Sequence, residues 1–215
     1  MKEHASTALT PYQTQYVDFN FERSGLFDLL EKKYHPIEVL YPGCSVHITP
    51  AFSFPHVVFV DQSPQAAAFF ADQDAILELV KRRRTYRRSP YIQFLAQDFT
   101  RPLPLPEGQF DLLLALFAGG VSKACLAYLK PGGLLLSNNH HNDAVEAAQE
   151  PGLTLVATLQ NQRGKYRLLD HPPGKPAEIE RHASQPPSNL RQTSRGIEYI
   201  DDQTYYLFKA TRPVK

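Results

Sequence analysis

Tryptophan is absent, methionine occurs once and cysteine only twice in the 215 residues. Cys44 and Cys125 make neither a metal-type spacing nor a disulfide framework, so packed thiols in a reducing compartment are expected and no metal site is. Long apolar runs are missing too. Stretches such as Leu112–Ala118 are far short of the roughly 18 residues that span a bilayer, and the N-terminus has no apolar signal core, so the expectation is a cytoplasmic protein without membrane association. An excess of charge of one sign is likewise missing: 23 Lys and Arg face 22 Asp and Glu, a net charge of +1. Attraction of a polyanion to the molecule as a whole is thereby excluded. The length suits one domain with a sizeable core and leaves no room for a second catalytic domain.

The charge that is present is unevenly spread. Residues 1–80 carry 4 bases and 10 acids, whereas residues 81–101 carry 7 bases and one acid. The basic block is KRRRTYRR, residues 81–88. As the end of a helix, it complements the macrodipole, with Asp72, Asp74 and Glu78 toward the start; as a surface patch, it suits nucleic acid or another polyanion. The helix reading predicts cations turned away from the ligand edge of the sheet.

The chain is organised around residues 37–61, IEVLYPGCSVHITPAFSFPHVVFVD. Ile37–Leu40 and Val57–Val60 read as strands, the second buried on both faces because it is continuously apolar. Tyr41-Pro42-Gly43 breaks the first, and Asp61 ends the second. In open α/β sheets ligands lie outside the carboxyl ends of such strands, where a glycine admits the ligand to the backbone and an acid binds a ribose hydroxyl. Gly43 and Asp61 suit those roles.

Further along, residues 1–22 are polar and aromatic and are expected to cover the domain. Ser24 reads as the N-cap of a helix over 25–34 stopped by Pro36, and Ser63-Pro64 opens a helix running to about Arg87 with a break at Asp72. Tyr91–Ala96, Phe110–Leu116, Leu134–Ser137, Leu153–Leu159 and Thr204–Ala210 complete seven strands. Between them a helix follows Gly119-Gly120, and Asp143 with Glu146 has capping-box spacing for another. The proline-rich stretch 170–196 is an insertion between the last two strands and a candidate lid. This alternation predicts a single α/β domain, its sheet mostly parallel with helices on both faces.

Several of these stretches together resemble the class I S-adenosylmethionine-dependent methyltransferases. The first loop keeps one glycine of the family's D-x-G-x-G-x-G pattern, Gly43, with Tyr41 in place of the acid and Ser45 and His47 in place of the later glycines. Gln97-Asp98-Phe99, PLPLPEGQFDLLLAL from Pro102 and YLKPGGLLLSNNH from Tyr128 follow in the family's order and spacing. The resemblance runs from about Leu26 to the end. It implies a Rossmann-like domain with an antiparallel last strand, S-adenosylmethionine as cofactor and S-adenosylhomocysteine as product. Tyr41, Gly43, Asp61 with the following Gln62, and Asp98 with Phe99 are the cofactor-binding residues it implies.

Asn139, His140 and His141, just after the fifth strand, are candidates for the substrate face, and either histidine offers a base. The expected acceptor is a small molecule. A non-catalytic nucleotide-binding or interaction module that has lost the cofactor site, and a nucleic-acid methyltransferase using residues 81–88, are the alternatives.

Overall fold

The computed structural model describes residues 9–162, 165–171, 179, 190–193, 196–199 and 204–211. Eight strands form one sheet in the order β3-β2-β1-β4-β5-β10-β6-β7. They are β1 Glu38–Pro42, β2 His56–Val60, β3 Tyr91–Leu95, β4 Phe110–Ala115, β5 Leu129–Ser137, β6 Leu153–Gln162, β7 Lys165–Asp170 and β10 Thr204–Ala210. The five strands from β3 to β5 are parallel; β10 runs antiparallel to both β5 and β6. A separate hairpin pairs β8 Leu190–Thr193 with β9 Gly196–Tyr199. Among the described residues, no helix is long and apolar enough to cross a membrane.

Side-chain alternation divides the core into two layers. Val39, Tyr41, Leu112 and Leu114 point to one face, where they meet Leu26, Phe27 and Leu30 of helix α2 (Ser24–Tyr34), Phe69 and Phe70 of α4 (Pro64–Phe70), and Ile76 and Val80 of α5 (Gln73–Arg83). Leu40, Leu113 and Ala115 point to the other, against Val121 and Cys125 of α6 (Val121–Cys125) and Ala144 and Ala147 of α7 (Asp143–Ala147). Each leucine so buried contributes about 2 kcal/mol, and truncating one to alanine costs about 2–5 kcal/mol. A continuously apolar strand such as β4 follows from cover on both faces.

Several boundaries differ from those expected. The sheet has an eighth strand, because residues beyond Gln162 fold back as β7 onto β6. Ser24 is the first residue of α2 and not its cap; that position falls to Arg23, in a left-handed conformation (φ 58°) and without a side-chain cap bond. The helix after Ser63 does break at Asp72, and each of the two helices has an oxygen cap: Ser63 Oγ accepts from Ala66 N–H, and Asp72 Oδ1 from Ala75 N–H. The second ends at Arg83, since Thr85 N–H turns away to the Phe52 carbonyl. β5 begins at Leu129, before Pro131-Gly132-Gly133, not at Leu134. The crossover from β3 to β4 is a loop, as its prolines lead one to expect, though Leu103 packs inward from it onto the core. The stretch 170–196 lies mostly outside the described residues, β8 at its far end excepted.

The N-terminal segment forms a helical turn, α1 (Thr10–Tyr12), followed by a π-helical turn, Gln13–Val17. Tyr12 is buried and bonds Thr49 Oγ1 at 3.0 Å as well as the Glu22 carboxylate. Arg83 completes this group with two bonds to Glu22, at 2.6 and 3.1 Å. One cation of the basic block therefore turns inward.

Candidate functional site

The loop after β1 is short and inward-turning: only α3 (Pro50–Ser53) intervenes before β2, and Val46, His47, Ile48 and Thr49 are fully buried. Tyr41 closes β1 with its hydroxyl 3.0 Å from His47 Nδ1, while His47 Nε2 lies 3.1 Å from the Glu22 carbonyl. A carbonyl only accepts, so Nε2 carries the proton and Tyr41 donates to Nδ1. Burial, reinforced by the Arg23 charge, holds His47 well below its ordinary pKa and hence neutral. Tyr16 from the N-terminal segment stacks on the imidazole at 4.4 Å, and burial pushes its phenol up to about 12. The ring at position 41 is thus a core group. It supplies no charge to a ligand's amino group.

Gly43 has φ +65°, and its N–H donates to the Val60 carbonyl. Its bare face is already covered: a Cβ there would lie 2.5 Å from the Ala118 Cβ and 3.5 Å from the Phe99 ring. Asp61, at the carboxyl end of β2, accepts from Ser45 N–H through Oδ2 and from Ser63 N–H through Oδ1, each at 2.8 Å. These bonds join the first loop, itself bent through Ser45 at φ 50°, to the start of α4. A carboxylate has about four acceptor sites, so two bonds leave Asp61 able to take hydroxyl donors.

Beside it the carboxyl ends of β2 and β3 bound a cleft of about 380 Å3 lined by Gln62, Gln97, Asp98, Arg101 and Pro102. Thr100 donates to Asp98 Oδ1 from its hydroxyl at 2.7 Å and its N–H at 2.9 Å, which holds the carboxyl below its ordinary range; Arg101 Nε is 3.8 Å from Oδ2. The expected residues thus separate. Gln62 and Asp98 share the cleft, Phe99 faces Gly43, and Tyr41 belongs to the core.

On the far side of the loop after β4, the turn following β5 is held in left-handed conformations at Asn139, His141 and Asn142 (φ 56°, 57° and 63°). Asn139 is fully buried, and its Oδ1 accepts from Ala144 and Val145 N–H. It caps α7 and so does not present its side chain to a substrate. Asp143, read from its spacing as that cap, is instead buried against Ser122, whose N–H and hydroxyl both lie 3.0 Å from Oδ1. Burial raises its pKa. His140 packs edge-on to His141 at 4.2 Å and 5.5 Å from Phe117; burial, then the neighbouring His141, lowers its pKa, which keeps it a neutral base at pH 7.

Gln97 and Arg101 are additions to the expected set. Gln97 stands in the Gln97-Asp98-Phe99 stretch, and Arg101, three residues beyond Asp98, has only that proximity as a signal. Arg23 lies between the rings of Phe21 (3.5 Å) and Phe117 (4.5 Å) and donates to the Tyr205 hydroxyl at 2.9 Å. Phe21 is close in the chain, but the other partners come from β10 and the loop after β4, which nothing local in the sequence marks.

Among solved structures, the chain is similar to cofactor-bound Rv0187 from MTB, with a TM-score of 0.51 and 13% identity over 95% of this chain and 90% of that one. It is also similar to the O-methyltransferase TomG from Streptomyces achromogenes in complex with SAM, with a TM-score of 0.48 and 12% identity over 97% of this chain and 88% of that one. No family model and no curated protein matches. At these identities the likeness is one of fold.

Proposed function

We propose that this chain, which has the mostly parallel sheet and antiparallel β10 implied by the class I methyltransferase resemblance, is an S-adenosylmethionine-dependent methyltransferase acting on a small-molecule acceptor. The observation that carries the reading is the cleft beside Asp61, lined by Gln62, Gln97 and Asp98 at the ends of β2 and β3. The acceptors in and next to it suit an adenosine: Asp61, preceding Gln62, would accept from ribose hydroxyls, and Asp98 and the Gln97 amide oxygen offer acceptors to the adenine amino group. When bound, the cofactor supplies an electrophilic methyl on sulfur. The chain's own part is to orient the acceptor and, where the nucleophile bears a proton, to receive it at the neutral His140.

The methionyl half fits less well. Ala118 covers Gly43, and position 41 has no carboxylate. This contact favours a second reading, a module that binds nucleosides without catalysis. Calorimetric titration separates the two. S-adenosylmethionine and S-adenosylhomocysteine binding more tightly than adenosine supports the transferase, whereas equal affinity for all three supports the module. Absence of binding by any of them sinks both.

A further inference from the structure

The two edges of the large sheet differ in a way that points to a second copy of the chain. β7, at one edge, carries exposed Lys165, Arg167 and Asp170, the kind of charge that blocks edge-to-edge pairing. β3, at the other edge, has no strand partner on its outer side among the described residues. From Tyr91 to Leu95 it contains no charge and no proline, and it pairs with β2 in unbroken register. Tyr91 is 53% exposed and its four successors are half-buried, unlike β1, β2 and β4, which are almost wholly covered. Ile92 and Phe94 line a narrow notch there with Phe70, Ile76, Leu77 and the polar Gln73. Such an edge is a template for another strand.

We propose that the protein is a two-fold dimer in which the β3 edges of two copies pair antiparallel, joining the sheets. The register follows from the backbone. Tyr91 N–H donates to Pro55, and the Leu95 carbonyl accepts from Asp61 N–H, so residues 91, 93 and 95 face β2 and residues 92 and 94 present their N–H and C=O outward. Pairing Ile92 with the partner subunit's Phe94, and Phe94 with the partner subunit's Ile92, forms four main-chain bonds about an axis at Gln93. Pairing centred on Ile92 or on Phe94 loses bonds at Pro90, which has no N–H, or at the strand end.

The same register brings the Arg88 end of one strand to the Asp98 end of the other. Arg87 and Arg88 are exposed, and Asp98 lines the cleft described above. Each copy thereby adds cations to the rim of its partner's cleft. On the helix side of the sheet, Gln73 and Leu77 of the two α5 helices approach antiparallel, the acids at Asp72 and Asp74 toward the partner's basic ends. The dimer stands whether or not the cleft takes S-adenosylmethionine.

Sedimentation velocity of the full chain at micromolar concentration tests it. Twice the chain mass is expected; a monomer overturns the proposal, including a monomer that binds single-stranded RNA through residues 81–88. Ile92→Lys, with folding checked by circular dichroism, should give monomers. Arg88→Glu and Asp98→Arg should each raise the dissociation constant about tenfold, and the double variant should restore it. A dimer indifferent to Ile92→Lys, or a charge swap without recovery, overturns it as well.

Discussion

The Ser45 main-chain N–H lies 2.8 Å from Asp61 Oδ2, so the carboxylate that ends β2 also holds the loop that follows β1. Its hydrogen bonds make Asp61 a structural residue, and the proposed function makes it a ribose acceptor as well.

Asp61→Ala should therefore do two things. Loss of two charge-assisted bonds costs about 2–4 kcal/mol of stability, and loss of the ribose acceptor weakens cofactor binding by about 1.5–3 kcal/mol. Asp61→Asn, which can keep only part of this bonding, should fall between. Urea unfolding and calorimetry on the same samples check both effects, and a binding loss without any stability loss would show that the loop does not lean on this residue.

At Gly43 an alanine meets both a positive φ and the Ala118 methyl at 2.5 Å. Gly43→Ala should destabilise by about 2–4 kcal/mol, and adding Ala118→Gly should recover part of this. Ala118→Gly alone uncovers the Gly43 backbone, and the affinity for S-adenosylmethionine should rise. An affinity that falls would mean that Ala118 contacts the ligand instead of excluding it.

His47 is held well below its ordinary value of 6.5, chiefly by burial. Because the unfolded chain binds this proton first, the contribution of neutral His47 is complete above about pH 6.5 and is lost as the pH falls toward the folded pKa. Thermal unfolding between about pH 7 and 5 should thus show a shallower acid-side loss in His47→Gln than in the parent, although the variant is less stable at pH 7. Parallel curves would place the titration elsewhere.

Arg83 and Glu22 tie the N-terminal segment to the end of α5. Arg83→Ala should cost about 1–2 kcal/mol, the range for a half-exposed charged pair with two bonds. Amide exchange should accelerate in residues 9–22 while β1 and β4 keep their protection. Uniform acceleration would indicate global destabilisation and no specific tie.

The strands of the sheet were legible because burial on both faces imposes continuous apolar runs, as in HVVFV and FDLLLAL, and the starts of α4 and α5 because Ser63 and Asp72 act as caps within one turn of chain. What escaped the sequence depends on distant partners. Capping-box spacing pointed to Asp143, yet Asn139 reaches Ala144 and Val145 while Ser122, from another helix, claims Asp143. The basic block at residues 81–88 read as a helix end or a surface patch, yet Glu22 draws Arg83 inward.

The sequence alone indicated the alternation of strands and helices that makes an α/β domain, with Asp61 and Asp98 following its second and third strands. Periodicity and turn chemistry are local properties, and a parallel sheet with short connections leaves few ways to assemble them. Only the tertiary structure decided what those strand ends can hold. The packing of Ala118 on Gly43, of Phe117 on Arg23 and of Tyr16 on His47 joins side chains far apart in the chain. Their fit depends on volumes and angles that no single stretch encodes.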